Sequence, residues 1–418
     1  MEDAVIVLEP KGTMLEVVRE ARRRGFAVIA LVTDTSLIEN LSAPYDSAVS
    51  EIHLVQTVQS WNDIEEVLYL SEKITRNKFK VKGVFYGTDH CSVACAALRV
   101  RYLLPTPKPE ALELIINKYL LRRKLMDLGL SRLQSFPGAE VDNWTTWRIG
   151  CTAYFKPVHG SFSMYVERCD NLTEVQAAKR KWQLQEEPLP RFIANYLRSS
   201  EEYHLEEAFD GELLSVEGIM FGGRFHLIGL TSRILFSRNP LIETGSCFPY
   251  PHALSRKIIQ LVNQALIALE LTDGPVHVEV IVNSEGDVEI IDLNPRFIGY
   301  DVLQSVNYAL GIRIEKSLLD WAVGIEPRIE PTHQSVSCIQ YVLPPNQLLF
   351  ESIKFPDYPE VKFYSTFVRP GTLVNNIDRE VDFLGCYLTV LPNMEAAFSR
   401  SRELRDEVVI NGTLLGAY

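Results

Sequence analysis

The chain has no excess of basic residues: its 418 residues carry 42 Lys and Arg against 54 Asp and Glu, a net charge of −12. Nucleic acids and anionic membranes are met by basic faces, so this balance excludes both as expected partners while still permitting a local pocket for a small phosphorylated ligand. Long apolar runs are missing as well. The longest, Phe26–Val32, falls far short of the about 20 residues that cross a bilayer. Met1-Glu2-Asp3 is acidic and leads straight into a strand pattern, which predicts neither a signal nor a transit peptide and points to a cytoplasmic protein. The seven cysteines contain no C-x-x-C, and Cys91 and Cys95 have no second pair at zinc-site spacing, so reduced core thiols are expected. Glycine is scarce where a dinucleotide fold needs it. Only Gly12 stands in the first strand-to-helix turn, so that unit reads as structural rather than NAD-binding.

What is present is an ordinary globular composition, 46% hydrophobic and 23% charged, over a length that suggests two to three domains. Ala4–Leu8, a helix through Met14, Val17, Val18 and Ala21 ending at Gly25, and Phe26–Val32 make a βαβ unit of a parallel sheet. A further strand, Val81–Tyr86, leads through Gly87-Thr88-Asp89 into a small-residue helix, Ser92–Leu98. The Pro105/Pro107/Pro109 cluster marks a boundary, giving an N-terminal βαβ domain over 1–109. A helix over Glu110–Leu128 opens a mixed middle part to about 328. The last part, 329–418, alternates strands at Val336–Leu343, Val361–Val368 and Gly385–Val390 before an amphipathic helix, Met394–Arg405, and reads as a small α+β subdomain.

The chemistry concentrates in Pro275–Arg296. Two Val/Ile-rich strands flank the turn Ser284-Glu285-Gly286, with His277, Glu279 and Ile281 expected on one face and Ile290, Asp292 and Asn294 on one face of the partner strand. Pairing brings Glu279 toward Asp292 and Asn294, an oxygen set suited to magnesium. Arg296 lies just beyond, placed to oppose a phosphate on the same metal. A second stretch ends a hydrophobic strand at Lys156-Pro157, and the loop His159-Gly160-Ser161-Phe162-Ser163 offers N–H groups and hydroxyls to an anion. Tyr203–Gly218 reads as strand, acidic turn and strand. Its Ser215 and Glu217 share a face that is directed either into a cleft or into the core. His277 reads as a packed strand residue.

Lysine at a helix start, strand Lys-Pro with a small-residue loop, a Glu-Glu hinge and Glu279 followed by Asp292-Leu-Asn-Pro-Arg296 together resemble the ATP-grasp superfamily over essentially the whole chain. Thr231-Ser-Arg233, Glu243-Thr-Gly-Ser-Cys-Phe-Pro249 and Asn294-Pro-Arg-Phe-Ile-Gly-Tyr300 resemble its L-amino-acid ligases and related amide-forming members. The resemblance implies an α/β architecture: a Rossmann-like first domain, then a two-lobed clamp over 110–328 with a small lobe at about 130–210 and a large lobe at 211–328. It further implies ATP held by Lys118, Lys156, His159, Gly160, Ser161 and Ser163, with adenine read by Glu206, Glu207 and Ala208 and ribose by Glu212. Glu279, Asp292 and Asn294 would hold two Mg2+ ions, for which Mn2+ is a substitute. Arg296 would stabilise the transferring phosphoryl group, and Glu243, Ser246, Arg296, Gly299 and Tyr300 would bind substrate.

Three departures stand out from that pattern. The phosphate loop has one glycine, with Phe162 and Met164 at places where smaller residues are usual. Glu212 directly follows Gly211, and Asp292 stands where glutamate is common, although either carboxylate offers two oxygens. The implied reaction activates a carboxylate, such as an amino acid, as an acyl phosphate and joins it to an amine, with a homodimer left open as the assembly. An ATP-dependent carboxylase or formyl-phosphate-type ligase is the alternative, and a non-catalytic ATP-binding scaffold the second.

Overall fold

The computed structural model describes residues 1–12, 14–35, 46–160, 163–184, 202–237, 239–299, 301–374 and 382–417. Four parallel strands open the fold, in the order Leu54–Thr57, Ala27–Val32, Glu2–Leu8 and Phe79–Tyr86. The two inner strands are buried on both faces, as their unbroken aliphatic runs require. Helix Met14–Arg23 buries Leu15, Val17, Val18 and Ala21 against them, and Gly25, at φ 84, releases the chain from the helix into the next strand.

The expected single helix over Glu110–Leu128 is instead two, Pro109–Ile116 and Lys118–Asp127. Pro109 suits a first helical position because its missing N–H would have no partner there. Asn117 breaks the helix. It adopts an extended conformation and its side chain accepts the Leu120 N–H at 3.0 Å, capping a new first turn. That reset places Lys118 at a helix start, with its own N–H donated to Val158 O at 2.9 Å.

An antiparallel sheet of Ser135–Pro137, Tyr203–Glu207, Ala153–Pro157 and Glu167–Cys169 forms a small lobe. Ala153, Phe155 and Pro157 face its core, where Phe155 stacks on Tyr203 at 4.6 Å, so the alternation turns Tyr154 and Lys156 to the other side. A second antiparallel sheet runs Arg224–Ser232, Glu212–Phe221, Gly274–Val282 and Val288–Asn294, backed by helix Ser255–Ala268. Gly211, at the junction of the two lobes, lies so close to Val282 that a Cβ there would meet its carbonyl oxygen at 2.2 Å.

A third sheet runs Ile234–Phe236, Asn239–Phe248, Val336–Val342, Gly385–Leu391 and Val361–Thr366. Its strands come from both sides of position 328, so the last part of the chain is joined to the middle part by a continuous hydrogen-bonded ladder. The first domain is tied in by a buried arginine. Arg99 donates to Val84 O and Pro105 O at 2.7 Å and to Trp321 O and Ala322 O at 3.1 and 3.0 Å. Among the described residues, no helix is long and apolar enough to cross a membrane.

Candidate functional site

The three antiparallel sheets and the helix that starts at Lys118 converge on one cavity of about 320 Å³. Its floor is the hairpin read from the sequence. The ladder sets Glu279 opposite Asp292 and His277 opposite Asn294, and Gly286 takes φ 81 in the turn. One expectation needs correcting. The ladder slips between Glu279 and Val280, so Ile290 is not on the Asp292 face; it is fully buried against Val278 and Val280. The extra residue of the bulge, Ile291, lines the cavity beside Asp292 instead.

Lys118 reaches the floor from its helix start and forms an ion pair with Asp292. Burial pulls the Lys118 ammonium down, but the Asp292 carboxylate outweighs this and holds it above the usual lysine range. His277 lies 3.2 Å from Glu279 through Nε2 and 3.0 Å from the buried Glu217 through Nδ1. Burial opposes charge on the ring, yet Glu217 and Glu279 push its pKa up to about 9. Glu279 is driven down to about 2 because the His277 contacts prevail over its own burial. His277 therefore belongs to the cavity lining, contrary to its reading as packing alone.

The donor set formed by Glu279, Asp292 and Asn294 is all oxygen, and both carboxylates already balance neighbouring positive charge. That chemistry fits a hard divalent cation. Among the described residues, no three His, Cys, Asp or Glu side chains close on a common point, so the Asn294 amide and oxygens of a bound phosphate would complete a shell. Arg296 lines the same cavity, with Nη1 donating to Phe297 O at 3.1 Å and Nε 3.9 Å from Asp89 Oδ1. Asp89 comes from the first domain, just past strand Phe79–Tyr86. In the sequence it reads only as a loop position, although the carboxyl ends of parallel strands are where such sheets offer side chains to ligands.

Lys156, Gly160 and Ser163 line the opposite wall, with Tyr154, Pro157, Met164 and Phe209 making an apolar slot. His159 is half-buried and outside that lining, its imidazole held below its usual range by burial. Ser161 and Tyr300 lie outside the described residues. Glu206 is 3% exposed and lies behind the wall. It binds Lys156 Nζ at 2.5 Å and Arg122 Nε at 2.8 Å. Burial raises its pKa, but Arg122 and Lys156 override this and hold it far below the carboxylate range. Arg122, on the helix that starts at Lys118, is 2% exposed.

The Glu207 and Ala208 N–H groups are already donated, to Gln134 O at 3.0 Å and Thr152 O at 2.9 Å. The hinge residues that reach the cavity are Phe209, Asp210 and Gly211. Glu212 is outside it, exposed, accepting from Tyr250 OH at 2.6 Å. At the far end Glu243 pairs with Arg233 Nε at 2.7 Å. Ser246, 3% exposed, presents a buried hydroxyl with no hydrogen-bond partner among the described residues. Gly299, Leu235, Ile298, Val302 and Tyr341 close this end.

An oxygen-rich floor, two lysines from different lobes and an arginine facing a slot between two antiparallel sheets is a nucleotide clamp in outline. The family comparison agrees with that outline: residues 150–304 match the ATP-grasp domain. That stretch is similar to an ATP-grasp domain. The shared fold extends over the whole chain. The crystal structure of L-amino acid ligase from Bacillus licheniformis superposes with a TM-score of 0.77 at 20% identity, covering 98% of this chain and 99% of that one. Phosphoribosylglycinamide synthetase from Anaerococcus prevotii gives 0.68 at 14% identity, with 98% and 99% covered. The biotin carboxylase domain of the Hydrogenobacter thermophilus 2-oxoglutarate carboxylase, crystallised as a dimer with MgADP, ADP and bicarbonate, gives 0.70 at 14%, with 98% and 91% covered. In sequence, the chain is 24% identical to protein y4rH of Sinorhizobium fredii (strain NBRC 101917 / NGR234), over 95% of its own length and 80% of the relative's.

Proposed function

We propose that this protein is an ATP-grasp enzyme, an ATP-dependent carboxylate–amine ligase: it activates a carboxylate, of the amino-acid class, as an acyl phosphate and joins it to an amine with release of ADP and phosphate. The observation that carries the reading is the shared cavity, in which Glu279, Asp292, Asn294, Lys118 and Arg296 adjoin an end bearing both Glu243 and an unpartnered Ser246 hydroxyl.

A free carboxylate is a poor acyl donor because its leaving group would be oxide; phosphorylation supplies phosphate as the leaving group. Bound Mg2+ would neutralise phosphate charge, with Glu279, Asp292 and Asn294 as the residues that hold it. Lys118 and Lys156 grip phosphate oxygens from opposite lobes, and Arg296, steadied by Asp89, faces the transferring group. Tyr154, Met164 and Phe209 take the adenine face. Glu243 and Ser246 offer acceptors to an ammonium group, while Leu235, Ile298 and Val302 exclude water from the acyl end. No nucleophilic side chain is needed, since alignment and charge neutralisation suffice. The reading places the protein in the cytoplasm with small-molecule substrates.

The test is to follow ADP release against pairs of amino acids and identify the product by mass. Amide formation that needs both partners supports the reading. Turnover that depends on bicarbonate or formate would transfer the site to a carboxylase or formyl-phosphate-type ligase, and nucleotide binding without ADP release in any mixture to a scaffold.

A further inference from the structure

Ser215 and Glu217 stand out because no step above uses them. The ladder pairs His277 with Glu217 and Glu279 with Ser215, so all four side chains lie on one face of the second sheet. Glu217 is fully buried, and it does not line the cavity that Glu279 and His277 line. Its Oε1 accepts from Ser215 Oγ at 2.5 Å and from Thr231 Oγ1 at 3.4 Å, and its two oxygens lie 3.1 and 3.0 Å from His277 Nδ1. The other ring nitrogen reaches Glu279 at 3.2 Å. Three adjacent strands thus fix one carboxylate that is linked to the cavity lining through an imidazole. Burying a carboxylate this completely is costly unless its partners are fully satisfied.

We propose that Glu217, acting through His277, is a positioning residue that sets the Glu279 carboxylate for a divalent cation. This rests on the assignment of Glu279 as a metal-holding group. With Glu217 on one nitrogen and Glu279 on the other, the imidazole ring cannot rotate about its own axis without breaking a contact. Glu279 Oε1 is therefore tied to the ring nitrogen, which fixes the orientation of the carboxylate. Partners behind a metal-holding group act through its orientation, and their loss typically weakens metal affinity by about 10- to 100-fold.

The experiment is a calorimetric Mg2+ titration at saturating ADP on the full chain, with ADP affinity in EDTA and thermal melting of the metal-free protein measured alongside. Glu217→Gln keeps the volume and removes the charge. It should weaken Mg2+ binding about tenfold or more, with ADP affinity in EDTA unchanged. Ser215→Ala leaves the carboxylate in place and removes one anchor, so it should give a smaller loss in the same direction. It also carries the test if Glu217→Gln does not fold. Unchanged Mg2+ affinity in the folded variants, with only a lower melting temperature, would make Glu217 a structural acid and overturn the inference. If wild type bound ADP with no Mg2+ dependence, the metal assignment itself would fall, an outcome separable from the first because it needs no variant.

Discussion

Lys118 and Asp292, 174 positions apart, meet as an ion pair on the cavity floor. On the proposed function a lysine for a phosphate and an acid for a cation thus neutralise each other, and a metal–nucleotide pair would exchange that contact for two of the same sign pattern. Loading is then closer to a swap of partners than to the filling of a bare site.

Glu279→Gln and Asn294→Ala should each abolish Mg2+-dependent ADP formation while melting temperatures stay near wild type. Steady-state assays at saturating Mg2+ check this, and near-normal turnover in either variant would remove the metal assignment.

Lys156→Met should weaken ATP binding about tenfold or more, since charge-assisted contacts to phosphate are worth about 1.5–3 kcal/mol. Isothermal titration with ATP against titration with the carboxylate substrate separates the two sites. An equal loss for both ligands would speak for a distorted lobe.

Arg122→Met should destabilise the protein by about 3–5 kcal/mol, because it leaves the buried Glu206 with Lys156 as its remaining ion-pair partner. Urea unfolding reads this directly. A loss below about 1 kcal/mol would mean that Glu206 gains a proton or water without penalty.

Acid should destabilise the small lobe through His204. Burial holds its pKa down to about 3, against about 6.5 in an unfolded chain. Between those values the unfolded state binds a proton that the folded state refuses, so stability is full above about 6.5 and falls as pH drops, by up to about 1.4 kcal/mol per pH unit for this group. His204→Gln should flatten the slope of unfolding free energy between pH 7 and pH 5. The same slope in both proteins would return the effect to other groups.

The parallel strands and the 274–294 hairpin were legible because continuous Val/Ile runs and a glycine turn leave few alternatives. The break at Asn117 was not, since apolar periodicity continues across Ile116-Asn117-Lys118 and only the capping bond to Leu120 reveals it. The bulge at Ile291 was invisible for a related reason: a ladder slip changes facing without changing composition. Arg122 reads as a solvated helix residue until a partner 84 positions away is brought beneath it. Asp89 and Arg233 likewise draw their roles from strands that only the tertiary fold supplies.

The metal-facing acids stand on one sheet, whereas Glu243, Ser246 and Tyr341 stand on the sheet that runs through position 328 into the end of the chain. Under the proposed function, energy coupling and choice of acceptor would be held by separate frameworks that touch along one cavity. Substitutions that reshape the second framework would then redirect which molecules are joined while the phosphate-handling half keeps its geometry, and truncation past residue 335 would remove three strands of that sheet, Val336–Val342, Val361–Thr366 and Gly385–Leu391, along with that freedom.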